Sequence, residues 1–111
     1  MNKKYEVIWS NVAENDLKSI IEYIADDSPT VAVRILKNIK QKSKSLYKYS
    51  ERGHIVPELR DQEILQYREI IISPWKILYR KSENNVYVLS VLDSRRNIED
   101  ILLMRLTDSR I

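Results

Sequence analysis

Residues 64–92 read ILQYREIIISPWKILYRKSENNVYVLSVL, and this stretch decides the fold. Apolar and β-branched residues dominate it, and it is interrupted at Ser73-Pro74 and Glu83-Asn84-Asn85, where proline and asparagine favour turns. The pattern predicts three consecutive antiparallel strands, over residues 64–72, 75–80 and 86–92. The third is apolar on both faces, which indicates a strand buried in the interior of the sheet.

Upstream of these strands, the sequence predicts a short strand over residues 5–9, with Tyr5, Val7 and Trp9 on one face. A helix should follow, because Asn11 and Glu14 have the spacing of a capping box. Its apolar residues recur at helical intervals over about three turns, and the helix should end near residues 26–27. They are Ala13, Leu17, Ile20, Ile21 and Ile24.

A second helix is predicted to start at Ser28-Pro29, because serine caps a helix and proline fits its first position. Its apolar stripe is Ala32, Ile35, Leu36, Ile39 and Leu46. The short connection between the two helices favours an antiparallel hairpin. Since such a hairpin cannot bury both stripes alone, we expect a sheet beneath it.

A last helix is predicted after the third strand, capped by Asp93 or Ser94. The expected fold class is therefore α+β. It has an N-terminal strand, an antiparallel helical hairpin packed on an antiparallel β-sheet of about four strands, and a short C-terminal helix. The length of 111 residues predicts one domain over residues 1–111.

The composition excludes several classes of protein. There is no cysteine, one histidine and one glycine, which argues against thiolate or three-histidine metal sites and against glycine-rich phosphate loops. We expect no metal and no cofactor. No apolar stretch is long enough to span a bilayer, and the first residues lack the apolar run of a signal peptide, so we expect no membrane association and a cytoplasmic location.

The charge of the chain, +3 overall, is unevenly distributed. Residues 29–50 contain six cations and no acid: Arg34, Lys37, Lys40, Lys42, Lys44 and Lys48. This basic stripe is either the footprint of an anionic partner or a solvated helix face.

Further cations on the predicted sheet are candidates for binding an anionic target. They are Arg68, Lys76, Arg80, Arg95 and Arg96. The two-residue period of a strand places Lys76 and Arg80 on one face, and pairing should bring Arg68 near them. Guanidinium groups bind phosphate and stabilise developing charge. In the alternative interpretation, these charges lie on an exposed face and pair with Glu69 and Glu83. The single histidine, His54, is either a general base or phosphate contact, or an ordinary solvent-facing loop residue.

Taken in order, these segments resemble the RelE/ParE superfamily of bacterial type II toxins. Asp16-Leu17 with Tyr23-Ile24-Ala25 is similar to the first helix of the family, and Gly53-His54-Ile55-Val56-Pro57-Glu58 to its G-R-x-V-P-E loop, with histidine where arginine is usual. The strands containing Tyr67-Arg68-Glu69-Ile70 and residues 75–80 and 86–92, followed by Arg95-Arg96, complete the resemblance.

The resemblance implies a growth-inhibiting toxin of the kind involved in plasmid stabilization, neutralised by a cognate antitoxin whose C-terminal segment folds onto it. Coupled folding suits such a flexible acidic and apolar segment. The family has two branches. RelE-like members cleave mRNA on the ribosome, by attack of a ribose 2′-OH on the adjacent phosphate. ParE-like members inhibit DNA gyrase and are not nucleases.

The resemblance also suggests which residues could act in catalysis. Arg95 matches a phosphate-contacting arginine of RelE-like enzymes, and His54, Lys76 and Arg80 are the other candidates. The RelE-like catalytic arginine falls at Ile71 or Ile72, and the C-terminal tyrosine falls near Asp100. These departures favour a ParE-like toxin acting on gyrase. The alternatives are a ribosome-dependent mRNA endonuclease and a non-toxic interaction module of the same fold.

Overall fold

A computed structural model describes residues 4–106 of the chain. Five strands and four α-helices make up this part. They are β1 (Glu6–Trp9), α1 (Asn11–Asp27), α2 (Pro29–Lys44), β2 (His54–Ile55), α3 (Pro57–Arg60), β3 (Tyr67–Ile72), β4 (Trp75–Lys81), β5 (Asn85–Asp93) and α4 (Ile98–Leu106). A short 3₁₀ helix, Ser45–Tyr47, follows α2.

The strands form one sheet in the order β1-β5-β4-β3-β2. The predicted α+β fold and its antiparallel meander β3-β4-β5 are confirmed, but two details of the sheet differ from the expectation. First, β1 pairs with β5 in parallel, from Glu6 opposite Asn85 to Trp9 opposite Val88. The whole helical hairpin separates β1 from the meander, so no tight turn forces an antiparallel pairing. Second, β2 adds a fifth strand, and its two residues are too few to produce a periodic pattern.

The helix caps are polar side chains, and two of them differ from the prediction. Ser10, not Asn11, caps α1, since its Oγ accepts a hydrogen bond from the Ala13 N–H at 3.1 Å. Ser28 caps α2 as predicted, accepting from the Val31 N–H at 3.3 Å. For α4, the Asn97 side chain accepts from the Asp100 N–H, because β5 continues to residue 93 and the predicted caps lie before the turn.

The helical hairpin packs on one face of the sheet and forms the larger core. Leu17 of α1 is 3% exposed and Ile39 of α2 is fully buried. They belong to one cluster with Tyr79 of β4 and with Val86 and Val88 of β5. The predicted apolar stripes therefore face a common core, which confirms the sheet expected beneath the hairpin.

A second core lies on the opposite face of the sheet, under α3 and α4. It joins Leu78 of β4 and Leu89 of β5 to Leu59 of α3 and Leu102 of α4. The register shifts by one residue here, because Tyr79 pairs with Val88 while Leu78 pairs with Ser90. This β-bulge at Leu89 changes the direction of the side chains that follow it.

Beyond the end of β1, the exposed edge of β5 is closed by a side chain. Asp16 of α1 accepts a hydrogen bond from the Val91 N–H at 3.0 Å. The same carboxylate binds the Arg105 guanidinium of α4 through two hydrogen bonds of 2.7 and 2.9 Å, and Arg105 also donates to Ser90 Oγ. One ion pair thus connects the helices of the two faces around the edge of the sheet.

Across residues 4–106, the helices are all too short or too polar to cross a bilayer.

The packing of α2 yields a stability prediction. Ile39→Ala should lower the free energy of unfolding by about 2–5 kcal/mol, because it leaves a cavity in the core beneath the hairpin. Val33→Ala on the same helix is the matched control. Val33 is 51% exposed, so its truncation should change stability by no more than about 0.5 kcal/mol. Urea denaturation of the variants measures both values, and similar losses in the two would contradict this packing.

Candidate functional site

A buried carboxylate, Glu69 of β3, lies at the centre of the candidate site. Its side chain is 2% exposed. His54 Nε2 lies 2.8 Å from Glu69 Oε2, and Lys76 Nζ approaches the same oxygen at 3.3 Å. A carboxylate is costly to bury unless cations and hydrogen bonds compensate it, and these two side chains provide that compensation.

Lys76 extends this group of charges to the short helix α3. Its Nζ lies 3.6 Å from Glu58 Oε2, and the Lys76 side chain is only 18% exposed. We call His54, Glu58, Glu69 and Lys76 the Glu69 cluster. It connects β2, α3, β3 and β4, and within it Lys76 stands between two carboxylates.

Arg68 lies on the opposite face of the sheet from Lys76. It is in register with Tyr79, whose ring belongs to the core beneath the hairpin. Arg68 Nη1 donates to the Gly53 carbonyl at 2.7 Å. Its role here is to hold the loop before β2.

The same loop is held by the buried hydroxyl of Tyr79. It accepts a hydrogen bond from the Gly53 N–H at 3.0 Å and donates to the Ser50 carbonyl at 2.8 Å. Burial raises the pKa of Tyr79, which keeps the hydroxyl protonated. Gly53 is required here, since a Cβ would lie 2.4 Å from the Glu69 carbonyl oxygen. The loop that presents His54 is therefore fixed from both sides.

The remaining candidate cations lie elsewhere on the sheet and after it. The Arg80 guanidinium stacks on Tyr87, 4.9 Å from the ring centroid. Arg95 forms a two-pronged pair with Asp93, with hydrogen bonds of 2.9 Å from Nε and 2.7 Å from Nη2. This pair lowers the pKa of Asp93 to about 2. Arg96 is exposed.

Arg95 and Arg96 also line a groove of about 660 Å³ between α1 and the end of β5, together with Tyr23 and Trp75.

The structure does not bring the predicted cations together into one site. Lys76 and Arg80 share a face of β4 as expected, but Arg68 lies on the other face, because residues that pair across two strands share a face. The alternative interpretation is correct in pairing Lys76 with Glu69, but wrong in placing this pair on an exposed face, since the two side chains are 18% and 2% exposed. Among residues 4–106, there is no group of three or more histidine, cysteine or acidic side chains placed to hold a metal.

Sequence reasoning missed Glu58 and Asp93 as partners and treated Glu69 only as a surface counter-ion. The sequence holds one indication for Glu69, because it is an acidic residue within a predicted strand that is otherwise rich in apolar residues. A charge in such a strand indicates a buried ion pair. Nothing local reveals Glu58, since it meets Lys76 only through the fold.

Comparison with known proteins identifies the family of this chain. The family described as "ParE toxin of type II toxin-antitoxin system, parDE" matches residues 7–98. The chain belongs to this family.

As a member of the ParE toxin family, the chain is similar to proteins named after ParE and to proteins named after RelE. Toxin RelE2 of Caulobacter vibrioides is 28% identical over 92 residues, which cover 82% of this chain and 97% of that protein. A solved structure, the chromosomal ParDE toxin–antitoxin system from P. aeruginosa, matches with a TM-score of 0.66 at 19% identity, covering 81% of this chain and 96% of the other.

A second solved structure, the toxin–antitoxin complex RelBE2 from Mycobacterium tuberculosis, matches with a TM-score of 0.57 at 18% identity. It covers 84% of this chain and 94% of the other. These matches confirm the RelE/ParE resemblance and its fold. In this ParE-family chain, the matched region ends at the first residue of α4, so it includes all of the Glu69 cluster and Arg95.

The Tyr79 hydroxyl gives a second stability prediction. Tyr79→Phe should lower the free energy of unfolding by about 1–3 kcal/mol, because it leaves the Gly53 N–H and the Ser50 carbonyl without their partner. Tyr23→Phe is the control, since Tyr23 is 82% exposed and its hydroxyl should matter little. Chemical denaturation compares the two variants, and an unchanged Tyr79→Phe would show that the hydroxyl does not hold the loop.

The pair of Asp93 and Arg95 gives a pH prediction. An NMR titration of the wild-type chain should find the pKa of Asp93 at about 2, and Arg95→Ala should return it toward the ordinary 3.8. Because folding lowers this pKa, the pair stabilises the fold above about pH 4 and loses that contribution as the pH falls toward 2. Lys18→Ala, which removes an exposed cation from α1, should leave the titration unchanged. An Asp93 that titrates normally in the wild type would contradict the pairing.

Proposed function

We propose that this chain is a toxin that arrests bacterial growth by binding and inhibiting DNA gyrase, and that a cognate antitoxin neutralises it. The type II toxin–antitoxin context comes from the family to which it belongs. The two similar solved structures are named as a ParDE toxin–antitoxin system and a RelBE2 toxin–antitoxin complex, which supports an antitoxin partner here. We further propose a cytoplasmic location and roles in growth inhibition and plasmid stabilization.

The contacts of the four candidate catalytic residues carry the choice of gyrase, because three of them are engaged by carboxylates and Arg80 and Arg95 lie away from the Glu69 cluster. Cleavage of RNA by a ribose 2′-OH needs a general base and cations that converge on one phosphate. In this chain, His54 and Lys76 are both engaged by Glu69, and Arg95 is engaged by Asp93. Arg80 lies apart, stacked on Tyr87. This arrangement supports recognition of a target surface better than phosphodiester chemistry.

The residues at the positions where the RelE-like branch has catalytic groups also favour gyrase over mRNA as the target. Ile71, at one of the two places that match the catalytic arginine, is an exposed isoleucine with 52% of its surface accessible. Asp100, near the place that matches the C-terminal tyrosine, accepts a hydrogen bond from the Asn97 side chain at the start of α4. Neither side chain can supply the positive charge or the phenol that the nuclease branch uses.

The similarity to toxin RelE2 keeps the mRNA endonuclease as the second candidate. In that case, the pair of His54 and the buried Glu69 would supply the general base, since a carboxylate orients a histidine for proton transfer. Ribosome-bound mRNA would then be the substrate, and Arg95 would contact the phosphate.

Induction of the chain without an antitoxin tests the proposal. We expect growth arrest, loss of supercoiling by purified gyrase when the chain is added, and no new 5′ ends in primer extension of ribosome-bound transcripts. Arg96→Ala should weaken gyrase inhibition by roughly tenfold if this arginine contacts the target. Its side chain makes no ion pair among the described residues, so the change should leave the fold intact. Lys18→Ala is the matched control, since Lys18 is 74% exposed on another surface.

Two outcomes would contradict the gyrase assignment. Cleaved transcripts with normal supercoiling, abolished by Arg95→Ala, would assign the chain to the mRNA endonucleases. Normal growth of cells that make the folded chain alone would assign it to non-toxic interaction modules.

A further inference from the structure

The basic stripe of residues 29–50 leads into a groove that is separate from the target-binding residues considered above. The groove, of about 650 Å³, lies where the chain leaves α2 and passes the start of β1 and the end of β4. Its side chains are cationic and aromatic, with one acid: Tyr5, Lys48, Tyr49, Glu51, Arg52 and Lys81. We call it the tyrosine groove.

The charge in the tyrosine groove is positive and only partly neutralised. Glu51 pairs with Lys81 at 2.8 Å. Lys48 and Arg52 have no carboxylate partner within residues 4–106, and Arg52 donates instead to the Ser45 hydroxyl at 3.1 Å. The hydrogen bond and charge of Lys81, and then the charge of Arg68, lower the pKa of Glu51. Two cations thus remain available to an anionic ligand.

Aromatic rings stand beside these cations. Tyr49 is 55% exposed, and Lys48 Nζ lies 5.6 Å from the centroid of its ring. Lys81 Nζ lies 5.9 Å from the centroid of Tyr5. A flat ring next to a cation suits a base attached to a phosphate.

A second cavity, of about 250 Å³, adjoins the tyrosine groove. Arg52 lines both cavities, and Lys42 and His54 line the second. By contrast, Lys40 is occupied within the fold, since its Nζ lies 4.1 Å from the centroid of Trp9 and 3.5 Å from Glu14. The stripe is therefore not uniformly solvated: Lys42 and Lys48 point into two adjoining cavities that share one arginine.

We propose that the tyrosine groove binds single-stranded nucleic acid, with a base stacked on Tyr49 and the phosphates held by Lys48 and Arg52. An acidic peptide would also satisfy the cations, and its binding is the competing outcome that the experiment below separates from binding of a nucleic acid. In a duplex, neighbouring bases cover the faces of each base, so no base is free to stack on Tyr49. The site is independent of the target of the toxin, because it uses none of the residues assigned to target binding.

Fluorescence anisotropy with a labelled oligo(dT) and the full-length chain tests the proposal. Tyr49→Ala should weaken binding by about tenfold, within the range typical of base stacking on an aromatic residue. Lys48→Ala should weaken binding and reduce the slope of log K against log salt concentration by about 0.7, as expected for one lost phosphate contact. Matched controls are Lys18→Ala on α1 and Val33→Ala on α2, which remove an exposed cation and an exposed apolar side chain outside the groove and should bind like the wild type. All four side chains are exposed, so thermal melts should show intact folds.

Several results would overturn the proposal. One is the absence of saturable binding at low salt. Another is an equal loss of affinity in the control variants, which would indicate attraction to overall charge. Tighter binding of poly-glutamate than of oligo(dT) would assign the groove to an acidic protein segment. Equal binding of duplex DNA, unaffected by Tyr49→Ala, would reduce the site to phosphate contacts alone.

Discussion

The burial of β5 on both faces is the constraint on which the rest of the structure depends. β5 lies between β1 and β4, with Val86 and Val88 in one core and Leu89 and Leu92 in the other. Neither face can be exposed to water, so each must be covered by helices. The hairpin covers one face, and α3 with α4 covers the other. Alternation along the strand supplies apolar side chains to both layers, and the bulge at Leu89 shifts that alternation by one residue.

This constraint explains which parts of the fold were predictable. The hairpin could be derived because its signals are local: Ser28-Pro29 supplies a cap and a first helical residue directly before an apolar stripe of helical period, and the period of each helix is visible in the sequence. The continuous apolar run of β5 likewise indicated an interior strand. The parallel pairing of β1 was not predictable, since it depends on which edge of β5 remains free after the meander has formed.

The candidate site was less predictable than the fold, for a related reason. Alternation along β4 correctly placed Lys76 and Arg80 on one face, but the faces of neighbouring strands depend on register. In the observed register Arg68 lies opposite Tyr79, which turns it toward the helical hairpin. Counter-ions were harder still: Glu58 meets Lys76 only in the folded chain, and Asp93, two residues before Arg95, was considered only as a helix cap. Cations that the sequence groups as candidates for one site can therefore pair with different counter-ions in the fold.

The distribution of charge separates two kinds of surface on this small domain. In the Glu69 cluster, charges are paired and largely buried, so they contribute to the organisation of the loop, α3 and the sheet. In the tyrosine groove, two cations and a ring remain accessible to a ligand. Surfaces of these two kinds can change independently in evolution, since substitutions in the groove do not unpair a buried carboxylate.

The contact between Asp16 and the backbone of β5 also bears on the tendency of the sheet edge to pair with another chain. An uncovered strand edge is a template on which a second polypeptide can add, and this is a common route to fibrous aggregates. Here the Val91 N–H is occupied by a carboxylate that Arg105 holds in place. Where β5 extends beyond β1, the sheet therefore offers one donor fewer to an added strand, because a side chain already occupies it.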